Sequence, residues 1–338
     1  MRDEPDLPDA LDPQTLSWLA AAFGWPAAAT GTLVQRGAMG ATYRIETPTG
    51  PVAAKRLFDW HPLTEELVDW MARFADRCRD AGVPSPRALP GRDGRLLQAA
   101  DNGARWRCLD WIDGAVPDRL DPQAACWLAE QAAVIHRMAE PVGPGAELHP
   151  WYRRSDLDWP RMAERAAAAR HGGARPAISA DVSAQLTLRA EELAALGRWA
   201  GSVGTGDLIV THNDLKVQNT LVAGNHRWLL DWEQAGPGVS WREVGLIGIH
   251  FVRDHRALQA ICGAYREAGG PGWPHGRSLF ATGVCVWLNF LWLQLEVLLD
   301  PAAGHSDRSF AAPIVSGLLA DIPGFAELDA AAVAVRPR

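Results

Sequence analysis

The chain has 338 residues, 48% of them hydrophobic, and a formal net charge of −7. That length supports about two domains around a sizeable core, and the absence of a dense Lys/Arg run argues against a nucleic-acid binder. Five scattered cysteines, Cys78, Cys108, Cys126, Cys262 and Cys285, include no Cys-x-x-Cys pair, which offers no zinc site and suits a reducing cytoplasm.

Met1 to Asp9 is acidic and lacks the basic-then-apolar layout of a signal peptide, so it reads as a frayed tail. Thr32 to Ile45 reads as strand, glycine turn, strand. Gly37 and Gly40 stand where backbone amides can approach a phosphate, although such a pair also suits a plain hairpin. Val52 to Leu57 follows as an apolar strand around Lys55, with Arg56 sent to the other sheet face by the period of two. A helix is expected from about Leu63 to Cys78, with Leu67, Trp70, Met71 and Phe74 as its buried stripe. Its first turn holds Glu65 and Glu66. Glu66 is the preferred partner for Lys55, while the helix dipole accounts equally for an acidic first turn.

Gly82 to Pro86 is a rigid extended turn leading to an expected strand at Arg95 to Gln98. Arg105 to Gly114 reads as a strand emerging into a turn. Gln123 to Met138 forms an amphipathic helix in which His136 is a core or cap residue rather than a catalyst. After a turn-rich break at Gly143 to Ala146, Met162 to Gly201 reads as two helices joined by a loose connector at Gly172 to Pro176. Arg153, Arg154, Arg170 and Arg175 either face a cleft or are solvated charges.

Leu208 to Val210, Thr220 to Val222 and Trp228 to Leu230 read as short buried strands, the last two joined by a turn at Gly224-Asn225. They hold Asp214, Asn219 and Asp231 near strand ends. Handling a metal-bound phosphate requires a carboxylate to orient and deprotonate an acceptor hydroxyl, and oxygen ligands for Mg²⁺. Asp214 fits the first role, and Asn219 and Asp231 fit the second. Downstream, Leu279 to Leu299 is almost continuously apolar. Asn289, Gln294 and Glu296 interrupt it, and it reads as a buried helix rather than a membrane span.

His212-Asn-Asp-Leu-Lys-Val-Gln-Asn219 resembles the catalytic loop of the protein-kinase superfamily, and Asp231-Trp-Glu233 resembles its metal-binding motif. The wording is similar to the aminoglycoside phosphotransferase, choline kinase and homoserine kinase group more than to true protein kinases. The resemblance implies an α+β, bilobal protein-kinase-like fold. A small β-rich nucleotide-binding lobe would occupy residues 1–113, with an interlobe hinge near 109–113, and a larger, mainly helical catalytic and acceptor-binding lobe would occupy 114–338.

It also implies the site. Gly37, Gly40 and Lys55, supported by Glu66, would bind the phosphates of ATP, with GTP as the other nucleotide. Backbone groups of Asp110, Trp111 and Ile112 would meet adenine. Asp214 would be the base, Lys216 an electrostatic helper, and Asn219 and Asp231 the Mg²⁺ ligands. Two departures stand out. Lys216 replaces the histidine that many antibiotic kinases carry two residues after the catalytic aspartate. The run Gly236 to Glu243 lacks the family's downstream aspartate, so Glu243 or nothing fills that structural role.

The implied partner is a small-molecule or peptide hydroxyl acceptor, with a pathway partner protein also open, and with no nucleic acid and no membrane. Glu296, Asp300 and Asp307 are too dispersed to form an acidic pocket for a polycationic sugar. Sixteen tryptophans suit a larger, partly apolar acceptor, or the core. The Ala-, Gly-, Arg- and Trp-rich composition resembles proteins of high-GC actinobacteria, where such kinases modify natural products, including Ser/Thr residues of modified peptides. A non-catalytic, kinase-like scaffold and a Mg²⁺-dependent hydrolase are the other classes kept open. Nucleotide binding and turnover separate them.

Overall fold

The computed structural model describes residues 7–58, 63–143, 145–169, 178–272 and 276–336. Arg170, Arg175, the Gly172 to Pro176 connector and the first six residues of the N-terminal tail lie outside the described residues. The chain forms two compact units, each discontinuous in sequence. The first runs to Val116 and regains Thr220–Glu233. The second comprises Pro117–Asn219 and the described residues from Gln234 onward.

The first unit opens with helix α1 (Pro13–Phe23). Asp12 caps it by accepting from the Thr15 amide at 2.8 Å, and Gly24 ends it in the left-handed region at φ 71°. Strands β1 (Thr30–Arg36), β2 (Gly40–Thr47) and β3 (Gly50–Leu57) form an antiparallel meander. Helix α2 (Glu65–Asp80) follows, then short strands β4 (Ala88–Leu89) and β5 (Gln98–Ala99), and finally β6 (Arg105–Asp110). The sheet order is β1-β2-β3-β6-β4, with β5 also paired to β6.

Register assigns the two sheet faces. Tyr43, Ala54 and Cys108 are successive cross-strand partners, and they pack with Leu16, Leu19 and Phe23 of α1. The adjacent row, Thr42, Lys55 and Arg107, therefore points to the opposite face. One face builds the core and the other presents Lys55 and Arg107 side by side.

Two expectations here need correction. The buried side of α2 is Val68, Met71, Phe74, Ala75 and Cys78, whereas Leu67 is 38% exposed. The helix begins after a Thr64 cap and rests on the 3-4-3 row from Val68, which places Leu67 on its shoulder. The strand expected at Arg95 to Gln98 shrinks to Gln98–Ala99. Arg95 is used earlier, its carbonyl closing a turn with the Gly91 amide at 2.7 Å.

The second unit begins with α3 (Pro122–Arg137), α4 (Pro150–Arg153), α5 (Trp159–Ala169), α6 (Ala180–Ser202) and strand β7 (Ile209–Thr211). The hairpin β8 (Thr220–Ala223) and β9 (His226–Leu229) belongs to the first unit. Strand β10 (Gly236–Gly238) returns to pair with β7, followed by α7 (Ser240–Gly248), α8 (His255–Glu267), α9 (Ala281–Leu299), α10 (His305–Asp321) and α11 (Phe325–Ala334).

The apolar run Gly276–Leu299 is long enough to cross a membrane by length and composition, yet 61% of it is buried inside the fold. Helices α4, α6, α7 and α10 pack around α9. Leu288, Leu291 and Leu295 are fully enclosed, each burial stabilising by about 1.5–3 kcal/mol.

Candidate active site

In the first unit, the turn after β1 is closed by the Gly37 amide donating to the Gly40 carbonyl at 2.8 Å, so that amide serves the hairpin. A Cβ on Gly40 would collide with the Arg56 carbonyl, and glycine is required there for β2 to approach β3. Lys55, on the non-core face of β3, donates through Nζ to Glu233 Oε2 at 2.7 Å and to Asp231 Oδ1 at 3.3 Å. Arg107 Nη1 donates to the other oxygen of Glu233 at 3.2 Å. Burial acts to lower the Lys55 pKa, but Asp231 and then Glu233 outweigh it and the ammonium is held above its ordinary value.

The expected pairing of Lys55 with Glu66 does not form. The Glu66 carboxyl is exposed and held below its usual range by its own backbone amide and the Thr64 hydroxyl, as a helix-start carboxylate. Glu65 pairs instead with Arg95 at 3.0 Å. Capping interactions engage the first turn of α2, and the Asp231–Glu233 turn supplies the buried Glu233 and the half-buried Asp231 carboxylates.

That turn is stitched to the sheet. Leu229 donates its amide to Pro84 at 2.8 Å, and Ala115 and Val222 exchange backbone bonds at 2.9 Å. Asp231 then adopts φ 62°, a left-handed conformation costly for a residue with a side chain, which reverses the chain at the motif. Trp232 packs edge-on against Phe74 of α2 with ring centroids 5.8 Å apart. In the expected hinge, the Asp110 amide is already bonded to the Arg87 carbonyl at 3.0 Å. Trp111 and Ile112 continue beyond the strand, the Trp111 indole donating to Asp113 at 2.6 Å.

In the second unit, the β7–β10 pair carries the loop holding Asp214. Asn213 takes φ 62°, and its side-chain amide donates to the carbonyls of Gln234, Gly236 and Pro237 at 3.2–3.3 Å. Its backbone amide donates to Glu243 Oε1. The other Glu243 oxygen meets His136 Nε2 at 2.6 Å, and His136 Nδ1 meets the Tyr265 hydroxyl at 2.9 Å, all deep in the core. Glu243 is therefore bonded to the loop backbone just before Asp214, and His136 sits in the core behind it.

Asp214 follows directly. Its carboxylate accepts from Lys216 Nζ at 3.0 and 2.8 Å and from Asn219 Nδ2 at 2.7 Å, while Asn219 also donates to the Asp214 carbonyl at 2.9 Å. With Nδ2 engaged in this way, the Asn219 Oδ1 is its remaining acceptor atom. The Asn219 side-chain oxygen in this unit and the Asp231 carboxylate in the first unit are each hard oxygen donors of the kind Mg²⁺ prefers. No group of three or more His, Cys, Asp or Glu able to hold a metal occurs among the described residues.

His250, edge-on to Trp287 at 4.9 Å, is pushed down to about 4 by burial and then by Lys216 and Arg119, with Asp321 opposing. Arg153 and Arg154 form surface ion pairs with Glu147 and Asp156. Glu296 is taken by Arg165. The residues that sequence reasoning left without a role are Glu233 and Arg107. Glu233 carried a local signal, its place two residues after Asp231, and Arg107 carried none beyond its strand.

Residues 30–279 match the profile of the phosphotransferase enzyme family (APH). No curated protein is a significant match. Among solved structures, an aminoglycoside phosphotransferase from Alicyclobacillus acidocaldarius subsp. acidocaldarius is similar, with TM-score 0.61, 14% identity and 98% of each chain covered. A spectinomycin phosphotransferase, solved with ADP and spectinomycin, gives TM-score 0.61 and 12% identity over 91% of this chain and 96% of that one. A microcompartment-associated aminopropanol kinase gives TM-score 0.58 and 20% identity over 91% and 96%. These likenesses show the α+β, kinase-like fold.

Proposed function

The chain belongs to the phosphotransferase enzyme family, and on that premise we propose that it transfers the γ-phosphate of ATP, with GTP as the other nucleotide, to a hydroxyl of a small molecule. The observation that carries this reading is the Asp214 carboxylate, oriented by Lys216 and Asn219 on a loop whose backbone is anchored by buried Glu243. The acceptor oxygen bonds to the γ-phosphorus as the bond to the β-bridging oxygen breaks. The hydroxyl proton passes to Asp214, and ADP leaves. Lys216 offsets the charge spreading over the phosphoryl oxygens.

Lys55 holds the nucleotide phosphates, and backbone groups of the 110–112 segment hold the base, Trp111 and Ile112 lying beyond the strand end. Asn219 through Oδ1 and Asp231 through its carboxylate would hold Mg²⁺, which would supply neutralisation of phosphate charge when bound. Nucleotide binding is assigned to residues up to about Asp113, together with the returning Asp231–Glu233 turn, and acceptor binding to the rest.

The acceptor reading is a neutral or partly apolar hydroxyl compound, a natural product or a peptide Ser/Thr. Relatives are named for spectinomycin and aminopropanol. In this chain, the engagement of Glu296 by Arg165 disfavours a polycation. The five scattered cysteines, without a Cys-x-x-Cys pair, fit a cytoplasmic enzyme.

The deciding experiment is a calorimetric titration with ATP, with and without Mg²⁺, on the wild type and Asp231→Ala. Micromolar, Mg²⁺-dependent binding that weakens in the variant is expected. Absence of binding to either ATP or GTP would rule the reading out.

A further inference from the structure

Lys55 and Arg107 are directly opposite each other in the β3–β6 ladder, so two cations share one face at cross-strand distance. Such a pair repels unless a counter-charge lies between them. Glu233 occupies that place, with one oxygen on each cation at 2.7 and 3.2 Å. All three side chains are withdrawn from solvent, 14%, 9% and 2% exposed for Lys55, Arg107 and Glu233. Helix α2, which carries Glu65 and Glu66, reaches this turn through the apolar contact of Phe74 with Trp232.

We propose that Glu233 is the positioning residue for Lys55 in this chain, braced by Arg107, so that the phosphate-gripping lysine is set by strands β3 and β6 and the Asp231–Glu233 turn rather than by a helix glutamate. The assignment rests on the phosphotransferase reading for its purpose, though its geometry stands without it. Asp231 makes the longer contact to Lys55, 3.3 Å, and is the carboxylate assigned to Mg²⁺. Glu233 bonds both cations directly, and neither bond uses Asp231. The three side chains of the triad come from two strands and one stitched turn, none of them from α2.

Lys55 and Lys216 are the only lysines in the sequence, so the protein labelled with [ε-¹⁵N]lysine gives two side-chain amine signals, assigned through Lys216→Arg. The test follows the Lys55 titration midpoint in wild type, Glu233→Gln and Glu66→Gln, with ATP affinity measured on the same samples. Expected is a fall of the midpoint in Glu233→Gln with no change in Glu66→Gln. ATP affinity should drop about tenfold in the first and less than about twofold in the second. Glu233→Asp should restore part of the affinity. If Glu233→Gln does not fold, the double variant Arg107→Met/Glu233→Gln removes the orphaned cation and takes its place in the comparison. A midpoint that moves in Glu66→Gln, or stays put when Glu233 is neutralised, overturns the proposal. A wild type that binds no nucleotide overturns the phosphotransferase reading instead, while the NMR comparison still decides which carboxylate sets Lys55.

Discussion

Glu243 and His136 meet at 2.6 Å in the core of the second unit, and through Glu243 that pair reaches the backbone of the residue before Asp214. The Tyr265 hydroxyl gives its proton to the Pro271 carbonyl at 2.8 Å, and both ring nitrogens of His136 have partners, Tyr265 and Glu243. Truncation of either partner strands the other. Glu243→Ala should therefore lower unfolding free energy by about 3–5 kcal/mol, read from urea denaturation. At temperatures where the variant is folded, its kcat should fall more than its KM for ATP rises, because the loop under Asp214 loses its anchor. A variant as stable as wild type would refute the anchoring role.

Asp214→Asn keeps the shape of the side chain and removes the proton acceptor. Turnover should fall about 10²–10⁴-fold, while the Kd for ATP stays within about twofold of wild type, since the residue acts on the acceptor. Steady-state rates and calorimetry on one preparation check both. Loss of ATP binding in a folded variant would reassign Asp214 to the nucleotide.

The two glycines of the first hairpin should separate. A methyl on Gly37 would meet only the Gly40 carbonyl at 3.5 Å, an ordinary contact, whereas a methyl on Gly40 would strike the Arg56 carbonyl of the neighbouring strand. Gly40→Ala should cost about 1–3 kcal/mol and Gly37→Ala less than about 1, measured by thermal or chemical unfolding. Equal effects would show that the β2–β3 approach tolerates a side chain.

His250 gives the protein an acid-side dependence. Its pKa is pushed from 6.5 to about 4 in the folded state, so on acidification the unfolded chain takes up the proton first. The associated stability is fully present above about pH 6.5 and is lost as pH falls toward 4, by at most about 3 kcal/mol. His250→Gln should flatten that part of the stability profile between pH 6.5 and 4. An unchanged slope would place the titration elsewhere.

The site residues that were legible in the sequence are those whose roles are local. Asp214, Lys216 and Asn219 lie within six consecutive residues, and a short 3-10 turn at Val217–Asn219 suffices to bring their polar atoms together. The hairpin turn at Gly224-Asn225 was readable for the same reason, since turn chemistry acts over two residues. The partner of Lys55 was not readable. Glu66 is eleven residues away in sequence, Glu233 is 178, and no periodicity distinguishes a carboxylate that caps a helix from one that a distant turn delivers into a sheet. The exposed Leu67 failed in the same way, because the pattern of apolar residues names a stripe only to within one position on the helix.

By itself the sequence determined the strand-turn-strand frame, the catalytic-loop wording with its carboxylates and amide, and the family to which residues 30–279 belong. One further signal was present in composition: among 33 basic residues only Lys55 and Lys216 are lysines, and both stand at positions assigned to phosphate. The tertiary structure alone decided which carboxylate holds Lys55, that Glu243 supports the loop, and that residues 220–233 return to the first unit. Local preferences act over a few residues, whereas a buried charge takes whichever counter-charge packing brings within about 3 Å, and that choice depends on the whole chain.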